Sequence, residues 1–373
     1  MAKPDNILLA GYYGMKNVGD DCFGVVSTWG ARKYWEAENV SLLSSEHLVS
    51  SVKTVSCLSK EKKYKGQARL QSYLNILKSN LVVWSGGSIF HSKENFGSPR
   101  TISLLASRAK ITPSGAIGVS LGPYKSVKDE KYVHSSLSSL RFLALRDNSS
   151  YEEALSLNLP YRPIEAADLA MLLPMVSKHR NPKKRKEKIL GVTVCHYERY
   201  AGKDVTKEKK RETVLLESLK RLICQGFEVK IRFFVFNGHP HYGDNQITHA
   251  FVEKLKTYGA EAEVVQYDPD PLRVWEKVAE CSAFVSVRLH GSIYAAAAGV
   301  PCISVEYHKK CGDFRRDIGV PGRFSVGDLD CEPLDLTSRL IDLFDVELPA
   351  FYPKRDKLIG MAENNFKVAL SSL

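Results

Sequence analysis

The stretch Ser282-Ala-Phe-Val-Ser-Val-Arg-Leu-His-Gly-Ser-Ile-Tyr-Ala-Ala-Ala-Ala-Gly-Val-Pro301 narrows the choice of fold more than any other. Ala283 to Val287 is an apolar run short enough for a buried strand, and a helix of small residues follows it. Gly299 ends that helix, and after Pro301 a second apolar strand, Cys302 to Val305, begins. This is a βαβ unit, which requires a parallel sheet covered by helices. Its polar turn carries Arg288 and His290 at the carboxyl end of a strand, beside a helix N-terminus. Ligands of open α/β sheets bind there, and helix N-termini favour anions. A buried βαβ unit whose turn happens to hold two polar residues gives the same pattern, so fold position alone does not decide function.

The same rhythm runs through the chain. Asn6–Ala10, Val40–Leu43, Leu81–Ser85, Ser114–Val119 and Phe142–Leu145 read as strands of a first half that closes with Ile164 to Leu173. A second half restarts with Ile189–Val194, Glu228–Phe236 and Ala262–Val265, with helices expected over 207–224, 245–258, 271–281, 333–344 and 354–373. We therefore expect two Rossmann-like doubly wound domains facing a cleft, as in GT-B-type enzymes. The expected boundaries are 1–176, a basic linker at 177–188, and 189–373.

Composition is that of a soluble globular protein, with 44% hydrophobic and 25% charged residues. No apolar run reaches the roughly 18 residues that suggest a membrane span. The N-terminal residues lack the apolar core of a signal peptide. Eight scattered cysteines without a CxxC pair argue against a disulfide framework or structural zinc, so a cytoplasmic location is expected. Much of the net charge of +11 lies in two runs, 183–188 and 207–212, which by default are linkers or solvated faces. No nucleic-acid-binding signature accompanies them.

Three segments carry candidate binding residues. Gly11-Tyr-Tyr-Gly-Met-Lys-Asn-Val-Gly-Asp20 is a glycine loop after the first strand, with Asp20 or Asp21 as the expected helix cap. Its spacing is not the dinucleotide fingerprint. Gly86-Gly87-Ser88 is expected to break the strand before it. Arg146 lies at another strand's carboxyl end, with Asn148 or Ser149 expected to cap the next helix. His239, His241 and Asp244 sit on a loop that lacks the helical spacing of zinc-protease ligands, and we read them as solvated residues or sugar contacts.

Taken together, four pieces resemble the polysaccharide pyruvyl transferase family. They are the loop from Gly11 to Asp21; Ser85-Gly86-Gly87-Ser88; Leu145-Arg146-Asp147 to Tyr151 with Ala167-Asp168-Leu-Ala170; and Arg288-Leu289-His290 with Ala-Ala-Gly-Val-Pro301 and Tyr307-x-x-Lys310. The order is the family's, from residue 8 to about residue 320. Two departures stand out: Ser85 replaces a common glycine, and His308-Lys309 stands where Asp-Pro is frequent.

The resemblance implies transfer of the carbon skeleton of phosphoenolpyruvate to two hydroxyls of a sugar, giving a pyruvate ketal and phosphate. His290 would be the general acid, Arg288 and Arg146 would clamp the donor's anionic groups, and Lys310 would add a cation. Gly14, Asn17, Asp20, Gly86, Gly87 and Ser88 would line the loop floor against phosphate or sugar. Asp168 would orient Arg146 or the acceptor, or simply cap a turn. Neither cofactor nor metal is expected, since phosphoenolpyruvate is itself the donor substrate. The implied acceptor is a sugar of a cell-surface polysaccharide or exopolysaccharide, or of its lipid- or nucleotide-linked precursor. A lipid-linked acceptor would place the enzyme at the inner face of the membrane, held by its basic runs. Nucleic acid is not an expected partner, and a homo-oligomer is left open. Two alternatives remain: a GT-B-like glycosyltransferase or sugar-nucleotide enzyme, and a non-catalytic carbohydrate-binding protein.

Overall fold

The computed structural model describes residues 4–177, 187–327 and 331–371. The chain forms two compact units. The first comprises residues 1–15, 20–172 and 357–373, and the second comprises 16–19 and 173–356.

In the first unit six parallel strands, β1 (Asn6–Ala10), β2 (Asn39–Leu42), β3 (Leu81–Phe90), β4 (Ser114–Leu121), β5 (Leu143–Leu145) and β6 (Ile164–Glu165), lie in the order β2-β1-β3-β4-β5-β6. Both central strands carry only apolar or small residues and are buried, Ser88 of β3 alone being half-exposed, as helices on both faces require. The chain leaves β1 toward β2 and returns on its other side to β3. The carboxyl ends of β1 and β3 therefore flank the switch point.

The second unit holds β7 (Ile189–Thr193), β8 (Lys230–Phe234), β9 (Ala262–Val265), β10 (Ala283–Ser286), β11 (Cys302–Val305) and β12 (Ser325–Val326), again all parallel. The order β12-β11-β10-β7-β8-β9 is that of the dinucleotide-binding fold. Its switch point lies between β7 and β10, where Arg288 emerges.

Several expectations need correction. β3 does not stop at the glycine pair: it runs on to Phe90, with a register shift beside β4 between Gly87 and Phe90. The helix after the glycine loop starts at Val18, ahead of Asp20 and Asp21, which occupy its first turn. Asp147, not Asn148 or Ser149, caps the helix Asn148–Ser156, accepting the Ser150 N–H at 2.9 Å. The last helix, Arg355–Leu370, joins the first unit from Lys357 onward, where the sequence placed it with the second half. The expected linker lies outside the described residues from 178 to 186, and so does most of its basic run.

That last helix is held by polar contacts as well as packing. Buried Asn365 accepts the Gly118 N–H of β4 at 2.6 Å and donates to Ala167 O at 2.9 Å. Trp35 Nε1 donates to Phe366 O at 2.9 Å. No described helix is long and apolar enough to cross a membrane.

Candidate functional site

In the first unit, candidate residues gather at the carboxyl ends of β1, β3, β4 and β5. Arg146 follows β5, and its side chain is 7% exposed. Its Nε donates to Ser120 Oγ at 2.7 Å and its Nη1 to Asp168 Oδ2 at 2.7 Å. Ser120 in turn donates to Asp147 Oδ2 at 2.6 Å. Asp168 also accepts the Ala170 N–H at 2.9 Å, so it orients Arg146 and caps a turn at once. The chain Asp147–Ser120–Arg146–Asp168 fixes the guanidinium and leaves Nη2 as the nitrogen these acceptors do not use.

Gly86 and Gly87 both have left-handed φ values, 75° and 77°, and a side chain on Gly86 would strike the Phe23 ring. Phe23 also lies beneath Arg146, with 5.9 Å between guanidinium carbon and ring centre. Gly87 faces Asp20, and the carbonyl of Ser88 bonds His91 Nδ1 at 2.6 Å. Gly14, with φ of 73°, donates its N–H to Asp21 Oδ1 at 2.8 Å, so Asp21 closes the glycine loop on itself. Ser85 has a physical role too. Its Oγ lies 2.5 Å from the Tyr13 hydroxyl and 2.7 Å from Ser27 Oγ, a buried network that ties the glycine loop to β3. Glycine there could not make it.

In the second unit the site is built around β10. Arg288 caps the helix Leu289–Ala298, and its N–H donates to Thr193 Oγ1 at 3.3 Å. Thr193 is also 2.7 Å from Ser286 Oγ, so hydroxyls from β7 and β10 set the turn. The Arg288 guanidinium lies against Asp244, with Nε donating to Oδ2 at 2.6 Å and Nη2 donating to Oδ1. Asp244 is fully buried and further accepts the Asn237 N–H at 2.8 Å.

The pairing of Asp244 with Arg288 could not be read from the sequence: the loop before Asp244 is polar, and its buried partner lies 44 residues away. It is neither solvated nor a metal ligand beside His239 and His241. His239 instead accepts the N–H groups of His241 and Tyr242 and organises its own loop. Burial works against the charge of Arg288, but Asp244 more than offsets it and raises the guanidinium above its usual range. For Asp244, burial pushes the carboxyl up against the pull of Arg288. Five N–H groups minus the two given to Asp244 leave Arg288 three for a ligand, two on Nη1 and one on Nη2.

His290 lies in the first turn of the same helix with its Nε2 buried. Its ring packs against the segment 16–19, which belongs to this unit. A β-carbon on Gly19 would stand 2.1 Å from His290 Nδ1, so only glycine fits. That segment is pinned by Val18 N to Phe236 O at 2.9 Å, Gly238 N to Lys16 O at 2.8 Å, and the Tyr294 hydroxyl to Val18 O at 3.2 Å. Asn17 caps the turn, its Oδ1 accepting the Gly19 N–H at 3.1 Å.

Lys310 lies on the helix Lys309–Ile318, which follows β11. His308 caps that helix, its Nδ1 accepting the Lys310 N–H at 3.2 Å. An imidazole does here what an aspartate does by its carboxylate, which accounts for the departure at this position. Burial, reinforced by Lys310 and Lys203, brings His308 down to about 4, which keeps Nδ1 available as an acceptor. Burial also pushes the Cys195, Cys302 and Cys311 thiols up to about 12, so these are packing residues and not nucleophiles.

The family model for polysaccharide pyruvyl transferase matches residues 40–309, more than two thirds of the chain. The chain is a member of the polysaccharide pyruvyl transferase family. The match spans Gly86, Arg146, Asp168, Arg288 and His290; it begins after the glycine loop and stops one residue short of Lys310. A search of curated protein sequences returns no match. Among solved structures, this pyruvyl transferase family member is similar to UDP-GlcNAc 2-epimerase from Neisseria meningitidis bound to UDP-GlcNAc. The TM-score is 0.63 at 12% identity, over 98% of each chain. It is also similar to the Methanocaldococcus jannaschii UDP-GlcNAc 2-epimerase in complex with UDP-GlcNAc and UDP, with a TM-score of 0.57 at 10% identity over 98% of each chain. At such identities the likeness concerns the fold, two Rossmann-like units.

Proposed function

We propose that the protein transfers the pyruvate unit of phosphoenolpyruvate to two hydroxyls of a sugar in a polysaccharide or its precursor. The observation that carries this reading is the pairing of a fixed cation, Arg288, with an imidazole, His290, on one turn at the switch point of the second unit, within a chain of this family.

In the reaction, His290 delivers a proton to the methylene carbon of the donor, which becomes a methyl group. The adjacent carbon turns cationic and bonds to the first sugar oxygen. The carbon–oxygen bond to phosphate then breaks, and the second hydroxyl closes the ketal. Of the two hydroxyl protons released, one restores His290 and the other leaves with phosphate. An acid with a reference pKa of about 6.5 suits this task near neutral pH. The Nη1 side of Arg288 and the ammonium of Lys310 hold the donor's carboxylate and phosphate, and Asp244 keeps the guanidinium from turning away. Arg146 is fixed in the same manner and suits the same class of ligand, an oxyanion.

Thermal-shift titration with phosphoenolpyruvate, run beside UDP-sugars on wild type and Arg288→Ala, tests the reading. A ligand of the folded state stabilises it by about 2.7 kcal/mol at a hundredfold excess over its Kd. A shift with phosphoenolpyruvate that the variant loses supports the proposal. A shift with a UDP-sugar alone would reassign the protein to sugar-nucleotide chemistry, the ligand class of the structural neighbours.

A further inference from the structure

A second group of reactive side chains lies in the second unit, apart from the residues assigned above. Glu208 and Glu212 are four residues apart on the helix Thr206–Cys224, so their carboxylates leave one face. The loop after β7 folds His196 onto that face. His196 Nδ1 is 2.9 Å from Glu212 Oε1 and 3.2 Å from Glu208 Oε1. One ligand atom from each of the three residues lies within 4.8 Å of the others. The sequence reading of 207–212 as a solvated run therefore fails at Glu208 and Arg211, both buried.

Two independent features point to a ligand at this cluster. Glu208 is fully buried, and its Oε2 accepts the Arg199 N–H at 3.1 Å. Its Oε1, turned toward His196, accepts no hydrogen bond, although His196 Nδ1 and Arg199 Nε stand 3.2 and 3.3 Å away. Leaving a buried carboxylate oxygen so poorly satisfied is costly. Beside the cluster a cavity of about 230 Å³ opens between two helices, lined by His196, Arg199, Glu212, Gln246 and Lys254 among others. It gives an entry path.

We propose that His196, Glu208 and Glu212 bind a divalent transition-metal cation. One imidazole nitrogen and two carboxylates suit zinc, cobalt or manganese better than magnesium or calcium, which favour all-oxygen sets. Coordination through Nδ1 places the ring proton on Nε2. The Arg199 backbone N–H, holding Glu208 Oε2, is the outer hydrogen bond that aims Oε1 inward. The Arg199 side chain is 45% exposed and turns to solvent when the cation enters. The charge of the cation then balances the two carboxylates. The cation ties the loop after β7 to the following helix. Its role is structural, because each proton in the proposed transfer is already accounted for.

The test uses untagged protein, stripped by chelator and dialysed against Co2+ or Zn2+. Wild type should retain one equivalent, develop visible Co2+ absorption and rise in Tm with Zn2+. Glu212→Gln, at a side chain 26% exposed, should fold normally and lose at least tenfold in affinity. His196→Gln should do the same. Absence of stoichiometric uptake by wild type would overturn the proposal and leave His196 as a ring lying between two carboxylates. Equal uptake by wild type and both variants would overturn it too.

Discussion

Gly19 and His290 are in such close contact that the ring occupies the space a Gly19 side chain would need. The two residues lie on segments some 270 positions apart, and the narrowest tolerance in the second unit falls on the proposed acid. In an ordinary helix, glycine to alanine is stabilising by about 1 kcal/mol. Here Gly19→Ala should instead displace the imidazole. We expect phosphate release from phosphoenolpyruvate and acceptor to fall more than tenfold in kcat, while the donor still shifts Tm. Unchanged kcat would show that the ring position does not matter.

Asp244 and Arg288 form a pair whose halves depend on each other. Removing the carboxylate strands a largely buried guanidinium, which costs roughly 3–5 kcal/mol. For a unit of this size that is about 2–4 °C in Tm per kcal/mol. Asp244→Ala should therefore melt well below wild type, and the double variant with Arg288→Ala should recover part of the loss. Equal melting of the single and double variants would mean that the pair contributes no coupling.

His308 makes stability depend on pH in a definite direction. Its pKa is about 4 when folded and about 6.5 when unfolded. Between these values the unfolded chain binds more protons, so stability rises with pH across the window. The contribution is complete above pH 6.5 and is lost as pH falls to about 4. His308→Asp keeps a capping acceptor and should flatten Tm between pH 4.5 and 6.5. A Tm profile identical to that of wild type would remove His308 as the cause.

Asn365 satisfies two backbone groups of the first unit, Gly118 N and Ala167 O. Asn365→Ala leaves both buried, each at a cost of about 1–3 kcal/mol. Ala167 precedes Asp168, so the variant should also loosen Arg146. Hydrogen exchange at Gly118 and in the turn after Asp168 should accelerate relative to wild type. Unaltered exchange would show that the helix is not needed there.

Much of the fold was legible because buried parallel strands are short, mostly apolar runs, as Leu81–Ser85 and Ala283–Val287 are. Arg146, Arg288 and His290 stood out as candidates because each lies within a few residues of the end of such a run. Helix starts were misplaced by a residue or two, since Asp147, Asn148 and Ser149 all suit a cap and only the backbone decides among them. What stayed hidden was pairing at a distance. Asp244 reads as one more polar loop residue until Arg288 is placed against it. Glu208 and Glu212 show their helical spacing in the sequence, but nothing local says that the loop returns His196 to them. The contact of Gly19 with His290 is likewise invisible, although the glycine itself was conspicuous.

The return of the last helix to the first unit has a bearing on synthesis. A ribosome completes residues 20–172 roughly 180 residues before it delivers Lys357–Leu373, a delay on the order of 10–40 s at about 5–20 residues per second. Throughout that interval Trp35, Gly118 and Ala167 lack the partners that will cover them. The stretch 173–356 has almost all of its own contacts in hand sooner. The half of the protein that is made first is thus the half that is finished last, and a nascent chain paused before residue 357 presents its unfinished face to chaperones.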